Sequence, residues 1–271
     1  MVIIHIIYAV ILGIVEGVTE FLPISSTGHL IIVNHWVHFG TNFTESFDVV
    51  IQLGAILSVI VYFWKKLIPR KNPIINEKEG TFISLWSKII VAVIPAIILG
   101  LLFGNIIEHY LFNSIVVAIM LIIGGVVLIV LEGKKREVKI VKLRDLSLGK
   151  AFAIGWIQCF AMIPGTSRSA STIIGGMLLG GSREVAAEFS FFLAIPTMIL
   201  ASGYTVLKHG AKFSHPELGL LAIGFIVSFV VALIVISAFM GFIKNNSFKG
   251  FGYYRIGLGI VILVLFGLHI I

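Results

Sequence analysis

The chain has 271 residues, 58% of them hydrophobic and 12% charged, with a formal net charge of +7. Its mean hydropathy is +1.09, and a soluble domain carries about 25% charged residues, so a soluble globular fold is excluded. The basic surplus does not point to nucleic acid either, because the lysines and arginines lie in short stretches between apolar blocks, where they set orientation in a bilayer.

In chain order, the first apolar block is 3–22. No basic residue precedes it, and Glu16 and Glu20 stand where a leader would be cleaved, so it reads as retained structure. The polar break Pro23-Ile24-Ser25-Ser26-Thr27-Gly28-His29 follows, then a short apolar stretch, 30–39. Blocks at 47–64, 85–103 and 115–131 approach the length of about 20 residues that spans a membrane. A second broken stretch comes next: 151–163, then Pro164-Gly165-Thr166-Ser167-Arg168-Ser169, then 170–179. It contains the single cysteine, Cys159, which excludes an intramolecular disulfide and reads as a small buried apolar residue. Three more spanning blocks, 187–207, 218–242 and 256–271, complete the chain. Irregular backbone at membrane depth survives only where protein buries it or it lines a wet cavity. Both broken stretches therefore read as re-entrant hairpins.

Charge orients this arrangement. With six crossings and two hairpins, the stretches 65–88, 134–150, 183 and 244–255 share one side and hold 17 of the 20 lysines and arginines. The other side has Lys208 and Lys212, and Arg168 sits in a hairpin. The basic side is expected to be cytoplasmic, with both termini outside, the first hairpin dipping in from outside and the second from the cytoplasm. Two full crossings in place of either hairpin would leave its ends on the same side, so charge does not separate those alternatives.

The halves also repeat. Phe47, Gly54 and Tyr62 correspond to Phe189, Pro196 and Tyr204 at an offset of 142; Pro23 and Ser26 correspond to Pro164 and Ser167 at 141; and Glu16 falls near Gln158. The expected fold is an all-α polytopic membrane protein, one integral membrane domain of two inverted repeats, about 1–132 and 150–271. Each is a re-entrant helical hairpin plus three transmembrane helices. Such repeats place a site near the bilayer midplane, where the breaks meet.

The polar residues at those breaks are functional candidates, because ionisable groups inside a membrane are costly. Glu16 and Glu20 are four apart and share a helix face. Two close carboxylates need a shared proton or a cation, and a divalent ion with oxygen ligands, Mg²⁺ or Ca²⁺, fits them; a pair snorkelling to the interface is the plainer alternative. Ser25 reads as a helix cap. Ser26, Thr27 and His29 suit anion binding or nucleophilic attack; capping of the next helix by Ser26, with His29 a satisfied core group, is the plainer alternative. Thr166, Ser167, Arg168 and Ser169, followed by Ser171 and Thr172, put a guanidinium among hydroxyls at a helix N-terminus, a phosphate-binding arrangement; a purely structural pairing of Arg168 with Glu16 or Glu20 is the plainer alternative. The pairs Gly124-Gly125, Gly175-Gly176 and Gly180-Gly181 lack the setting of a nucleotide fingerprint and read as helix-packing positions. The residues alone thus indicate phosphoryl chemistry or phosphate transport, with a phosphorylated lipid as the natural ligand.

The segments EGVTEFLPISSTGHL at 16–30 and PGTSRSASTI at 164–173 resemble the two signature motifs of the undecaprenyl-diphosphate phosphatase family, also known as bacitracin-resistance proteins. The resemblance covers nearly the whole chain. It implies hydrolysis of a C55 polyprenyl diphosphate to its monophosphate in the bacterial inner membrane, recycling the carrier for cell-wall glycans. The family's acidic motif falls on Glu16 and Glu20, its Ser/His motif on Ser26, Thr27 and His29, and its Arg motif on Ser167 and Arg168; Ala170 stands where many members have Gly. The expectation is a metal-dependent phosphatase opening to the extracytoplasmic face. Glu16 and Glu20 would hold the metal or supply a base, Ser26 would be the nucleophile with His29 as acid/base partner, and Arg168 would grip the diphosphate with Thr27, Thr166, Ser167 and Ser169. Expected partners are the lipid substrate, bilayer lipids and a homodimer mate, with no nucleic acid. A flippase of phosphorylated polyprenyl lipid is the rival reading, since inverted repeats are a transporter architecture.

Overall fold

The structure, a computed structural model, describes residues 2–39, 41–68, 82–209 and 213–271. The first hairpin is α1 (Val2–Thr19) and α2 (Ser26–Trp36), followed by α3 (Thr41–Tyr62), the single turn α4 (Trp64–Leu67), α5 (Phe82–Leu111) and α6 (Ser114–Gly133). The second hairpin is α7 (Leu148–Gln158) and α8 (Arg168–Leu178), followed by α9 (Arg183–His209), α10 (His215–Asn245) and α11 (Lys249–Gly267). There is no strand among the described residues; one isolated parallel bridge, Ile140 to Gly181, pins the segment after α6 to the end of α8.

Among the described residues, six helices are long and apolar enough to cross a bilayer: Phe43–Tyr62, Phe82–Leu111, Ser114–Gly133, Arg183–Gly203, His215–Asn245 and Lys249–Gly267. They match the six expected blocks, and the chain is an all-α multi-pass membrane protein. By contrast α2, α7 and α8 have 11 residues each. At 1.5 Å per residue each rises about 16 Å, half of a hydrocarbon core about 30 Å thick. None of these three can cross alone, which fits the hairpin reading.

One boundary corrects the charge reading. The last crossing starts at Lys249 rather than near 256, so Arg255 is not a loop cation. It lies inside α11 and is fully buried. Removing one of the 17 leaves the asymmetry intact. The basic residues between 69 and 81, and Lys212, lie outside the described residues.

Packing is set by close backbone approach. Helix α1 lies on α10, where a methyl group at Gly17 would meet the carbonyl of Ser228 at 2.8 Å. Helix α7 lies on α5, where one at Gly155 would collide with the carbonyl of Ala92. In a bilayer, helices gain by such dispersion contacts rather than by escaping water. The contacts exchange between halves: α1 packs on α10 as α7 packs on α5, and α3 packs on α10 as α9 packs on α5. Helices α3 and α9 meet each other, as do α6 and α11. Helix α9 is central, with 72% of its window buried against 22% for α5 and α11. The outward faces of α5, α10 and α11 present Ile90, Leu101, Ile234 and Val264 to the surroundings. That apolar belt is stable in lipid and would aggregate in water.

An ion-paired cluster joins three helices at one end of the bundle. Arg183 donates from Nε and Nη2 to Glu132 at 2.7 and 2.6 Å, and the Phe248 backbone N–H donates to Glu132 Oε1 at 3.0 Å. A bidentate guanidinium–carboxylate pair fixes direction as well as distance, so α6, α9 and the start of α11 are held in register.

Candidate active site

Each hairpin break is built the same way. Ser25 and Ser167 both have φ of 71°, and each precedes the first residue of a short helix. Their hydroxyls accept from the backbone N–H three residues on, Gly28 at 3.4 Å and Ala170 at 3.2 Å. Positive φ is strained for a residue with a Cβ, and such strain concentrates at functional sites. The local geometry pairs Ser25 with Ser167, an offset of 142, which is that of the long helices. The 141 suggested by Ser26 and Ser167 is one residue off, and the structural counterpart of Ser26 is Arg168.

The two breaks meet at Glu20, which is 7% exposed. Its backbone N–H still donates to Glu16 O at 3.0 Å, so the two acids keep their helical spacing. Glu20 Oε2 accepts from Ser26 Oγ at 2.8 Å, and Oε1 accepts from Arg168 Nη2 at 2.9 Å. Arg168 also donates from Nη1 to Ser190 O at 3.1 Å and lies over the Phe21 ring, 5.7 Å from its centroid. Its Nε is buried with no hydrogen-bond partner among the described residues. Glu20 thus sits between a hydroxyl of the first break and the guanidinium of the second.

The other expected residues surround this pair. Ser169 donates to Leu22 O at 2.8 Å, a second tie between the hairpins, so the Ser167 hydroxyl 3.0 Å away donates to Ser169. Thr172 meets Ser190 hydroxyl to hydroxyl at 2.6 Å, holding α8 to α9 beneath Arg168. Thr166 is buried and its hydroxyl has no partner among the described residues. Thr27 is half-buried in the first turn of α2.

His29 is placed differently from the expected Ser–His pair. Its Nδ1 lies 2.7 Å from Ser25 O, and its Nε2 lies 2.7 Å from the Tyr254 hydroxyl. A carbonyl only accepts, so Nδ1 carries the proton; in the neutral ring Nε2 then accepts from Tyr254. The rings stack, 8° from parallel. Both ring nitrogens are engaged away from Ser26, whose hydroxyl is held by Glu20.

Glu16 is fully buried, and neither carboxylate oxygen has a hydrogen-bond partner among the described residues. An orphaned carboxylate inside a bundle needs a proton or a cation, which rules out the snorkelling alternative. No group of three or more His, Cys, Asp or Glu side chains converges among the described residues. Mg²⁺ commonly takes one or two carboxylates and fills its sphere with water and substrate phosphate. Glu16, with Glu20 one turn away, fits that mode and does not resemble a closed structural metal cage.

Three polar residues near the breaks escaped the sequence reading. Asp48, on α3, accepts from Asn34 Nδ2 at 2.9 Å and keeps its other oxygen buried without a partner among the described residues; an acid inside a predicted span is a signal that was present. Tyr254 carries no local signal for its contact with His29. Arg255 passed as a loop charge, although apolar residues continue on both sides of it.

A family model described as bacitracin resistance protein BacA matches residues 9–261. Undecaprenyl-diphosphatase 1 of Clostridioides difficile (strain 630) is 52% identical over 263 residues, covering 95% of each chain. Undecaprenyl-diphosphatase of Fusobacterium nucleatum is 51% identical, covering 94% of this chain and 98% of the relative. That of Desulfitobacterium hafniense is 49% identical, covering 98% of each.

Proposed function

The chain belongs to the bacitracin resistance protein BacA family, and we infer that it is an undecaprenyl-diphosphatase. It hydrolyses the lipid diphosphate to undecaprenyl phosphate and inorganic phosphate, returns the carrier to cell-wall synthesis and contributes to bacitracin resistance. The observation that carries the mechanism is Glu20 bridging Ser26 and Arg168. The matching contacts of the two halves support their reading as inverted repeats, and the distribution of basic residues supports a site open to the extracytoplasmic side of the inner membrane.

In the substrate-free state Arg168 is neutralised by Glu20. An entering diphosphate offers Arg168 two oxygens in a plane, the geometry a guanidinium fork prefers. As Arg168 turns to phosphate, Glu20 is released from its ion pair while Oε2 still holds the Ser26 hydroxyl, so it is free to take that proton. Substrate binding thereby activates the nucleophile. Ser26 Oγ attacks the terminal phosphorus as Glu20 takes its proton. The Ser26–phosphorus bond forms, the bridging P–O bond breaks, and the polyprenyl monophosphate leaves. Water then hydrolyses the phosphoserine, releasing inorganic phosphate and regenerating the hydroxyl. A divalent ion held by the unpartnered carboxylate of Glu16 would supply charge neutralisation at the phosphates and leave Glu20 to take the proton. The N-termini of α2 and α8, at Ser26 and Arg168, add backbone donors for the same anion. His29, with Nδ1 on Ser25 O and Nε2 on the Tyr254 hydroxyl, reaches the attacking water only once that hydroxyl gives way.

Purified protein in detergent with C15 and C55 polyprenyl diphosphates is the test. Stoichiometric phosphate release supports the reading. No release from either substrate, with lipid moved between leaflets of reconstituted vesicles, would establish the flippase instead.

A further inference from the structure

We propose that Arg255 is a positioning residue for this reaction: its buried guanidinium clamps the main chains of both breaks and so sets Arg168 relative to Ser26. The proposal rests on the phosphatase reading for its kinetic test, and on geometry alone for its origin.

Arg255 is fully buried and belongs to neither motif. All of its hydrogen bonds go to backbone carbonyls. Nη1 donates to Pro23 O at 3.3 Å, in the first break, and Nη2 to Gly165 O at 3.1 Å and Thr166 O at 2.9 Å, in the second. Nε and Nη2 also reach Leu121 O at 3.3 Å and Met120 O at 3.2 Å on α6. No carboxylate pairs with it among the described residues. An unpaired cation inside a membrane bundle is an expensive way to fill space, and an apolar side chain would do that better. What it supplies is a planar fork with five N–H donors in fixed directions. Carbonyls of three chain segments converge on that fork.

Two further observations fit a clamp. A methyl group at Gly124 would overlap Arg255 Nη2, so α6 leaves the lane for the guanidinium open. The breaks it holds also carry strained backbone, with positive φ at Ser25 and Ser167. Strained conformations persist only where the surroundings over-determine them. In a trans peptide the C=O and N–H point opposite ways. Turning Thr166 C=O onto Arg255 therefore turns the Ser167 N–H away from it and fixes the peptide plane that enters Ser167, the residue before Arg168. Lysine would offer one point of donors and could not hold Pro23 and Thr166 together in this way.

The experiment uses full-length protein in detergent with farnesyl diphosphate as the probe, measuring kcat and KM for Arg255→Lys, Arg168→Lys and the double variant, with thermal unfolding of each. Arg255→Lys is expected to remain folded and to lose about tenfold or more in kcat. In the Arg168→Lys background the same change should cost less than about twofold, because the group being positioned is already gone. A general structural role would instead lower the active fraction and multiply the two losses; that outcome, or a wild-type kcat in Arg255→Lys, overturns the proposal. Should Arg255→Lys not fold, Gly124→Ala displaces the guanidinium by one methyl group and must show the same non-additive loss. Hydrogen exchange over peptides 20–30 and 163–172 reads the clamp without any turnover. Both breaks should exchange faster in Arg255→Lys, and a change in neither or in only one refutes it even if wild type releases no phosphate.

Discussion

Arg168 and Glu20 are 148 residues apart in sequence and 2.9 Å apart in the fold, Nη2 to Oε1, with side chains only 12% and 7% exposed. Each is the only ion-pair partner of the other among the described residues. The pair is more than a structural tie, because Glu20 carries the Ser26 hydroxyl on its second oxygen.

Arg168→Lys is therefore expected to fail although it keeps the charge. Lysine loses the fork that reaches Glu20 and Ser190 O from separate nitrogens and loses the two-point grip on phosphate. The expected loss in kcat/KM is about 100-fold or more, equivalent to about 3 kcal/mol. Phosphate-release kinetics check it; near-wild-type activity would mean that Arg168 supplies only positive potential.

Ser26→Ala should lower kcat by several orders of magnitude, while thermal stability changes by only about 1 kcal/mol, the worth of one hydrogen bond. Early quenching with label on the terminal phosphate should trap an acid-stable phosphoserine at position 26. Label at His29, acid-labile and base-stable, would reverse the roles. Inversion at a chiral terminal phosphate would exclude a covalent intermediate and point to water as the nucleophile.

Chelation should abolish activity, and Mg²⁺ or Ca²⁺ should restore it. Because the oxygens of Glu16 have no other partner among the described residues, Glu16→Gln should raise the metal concentration for half-activity by about tenfold or more. Full turnover in excess chelator would assign both acids to proton transfer.

Tyr254→Phe removes the hydroxyl that meets His29 Nε2 while keeping the stacked ring. A loss of about fivefold in kcat, close to 1 kcal/mol, is expected with unfolding temperature unchanged. No change in kcat would leave His29 oriented by Ser25 O alone.

Topology follows from charge. Single cysteines in a Cys159→Ala background should be shielded from an impermeant external reagent at position 139 and labelled by it at position 212. External labelling at 139 would overturn the assignment.

Much of this was legible in the one-dimensional pattern because a bilayer imposes it. Spanning helices must satisfy every backbone group internally and keep charge out of the hydrocarbon, so six apolar blocks and two polar breaks were readable, and Ser25 as a cap agreed with local chemistry. Glu16, Glu20, Ser26 and Arg168 stood out because polar groups at that depth are rare. Residue identity alone did not determine which of them touch. The Ser26–His29 proximity suggested by spacing gave way to Ser26–Glu20, since the positive φ of Ser25 turns its carbonyl onto His29 and leaves the next hydroxyl facing α1. Tyr254 and Arg255 reach the site from more than two hundred residues beyond the first break, on a helix whose start the sequence placed too late. A guanidinium clamped by carbonyls has no local sequence signature, because its partners are backbone atoms that any residue type supplies; only the packing of α11 on α6 gathers them.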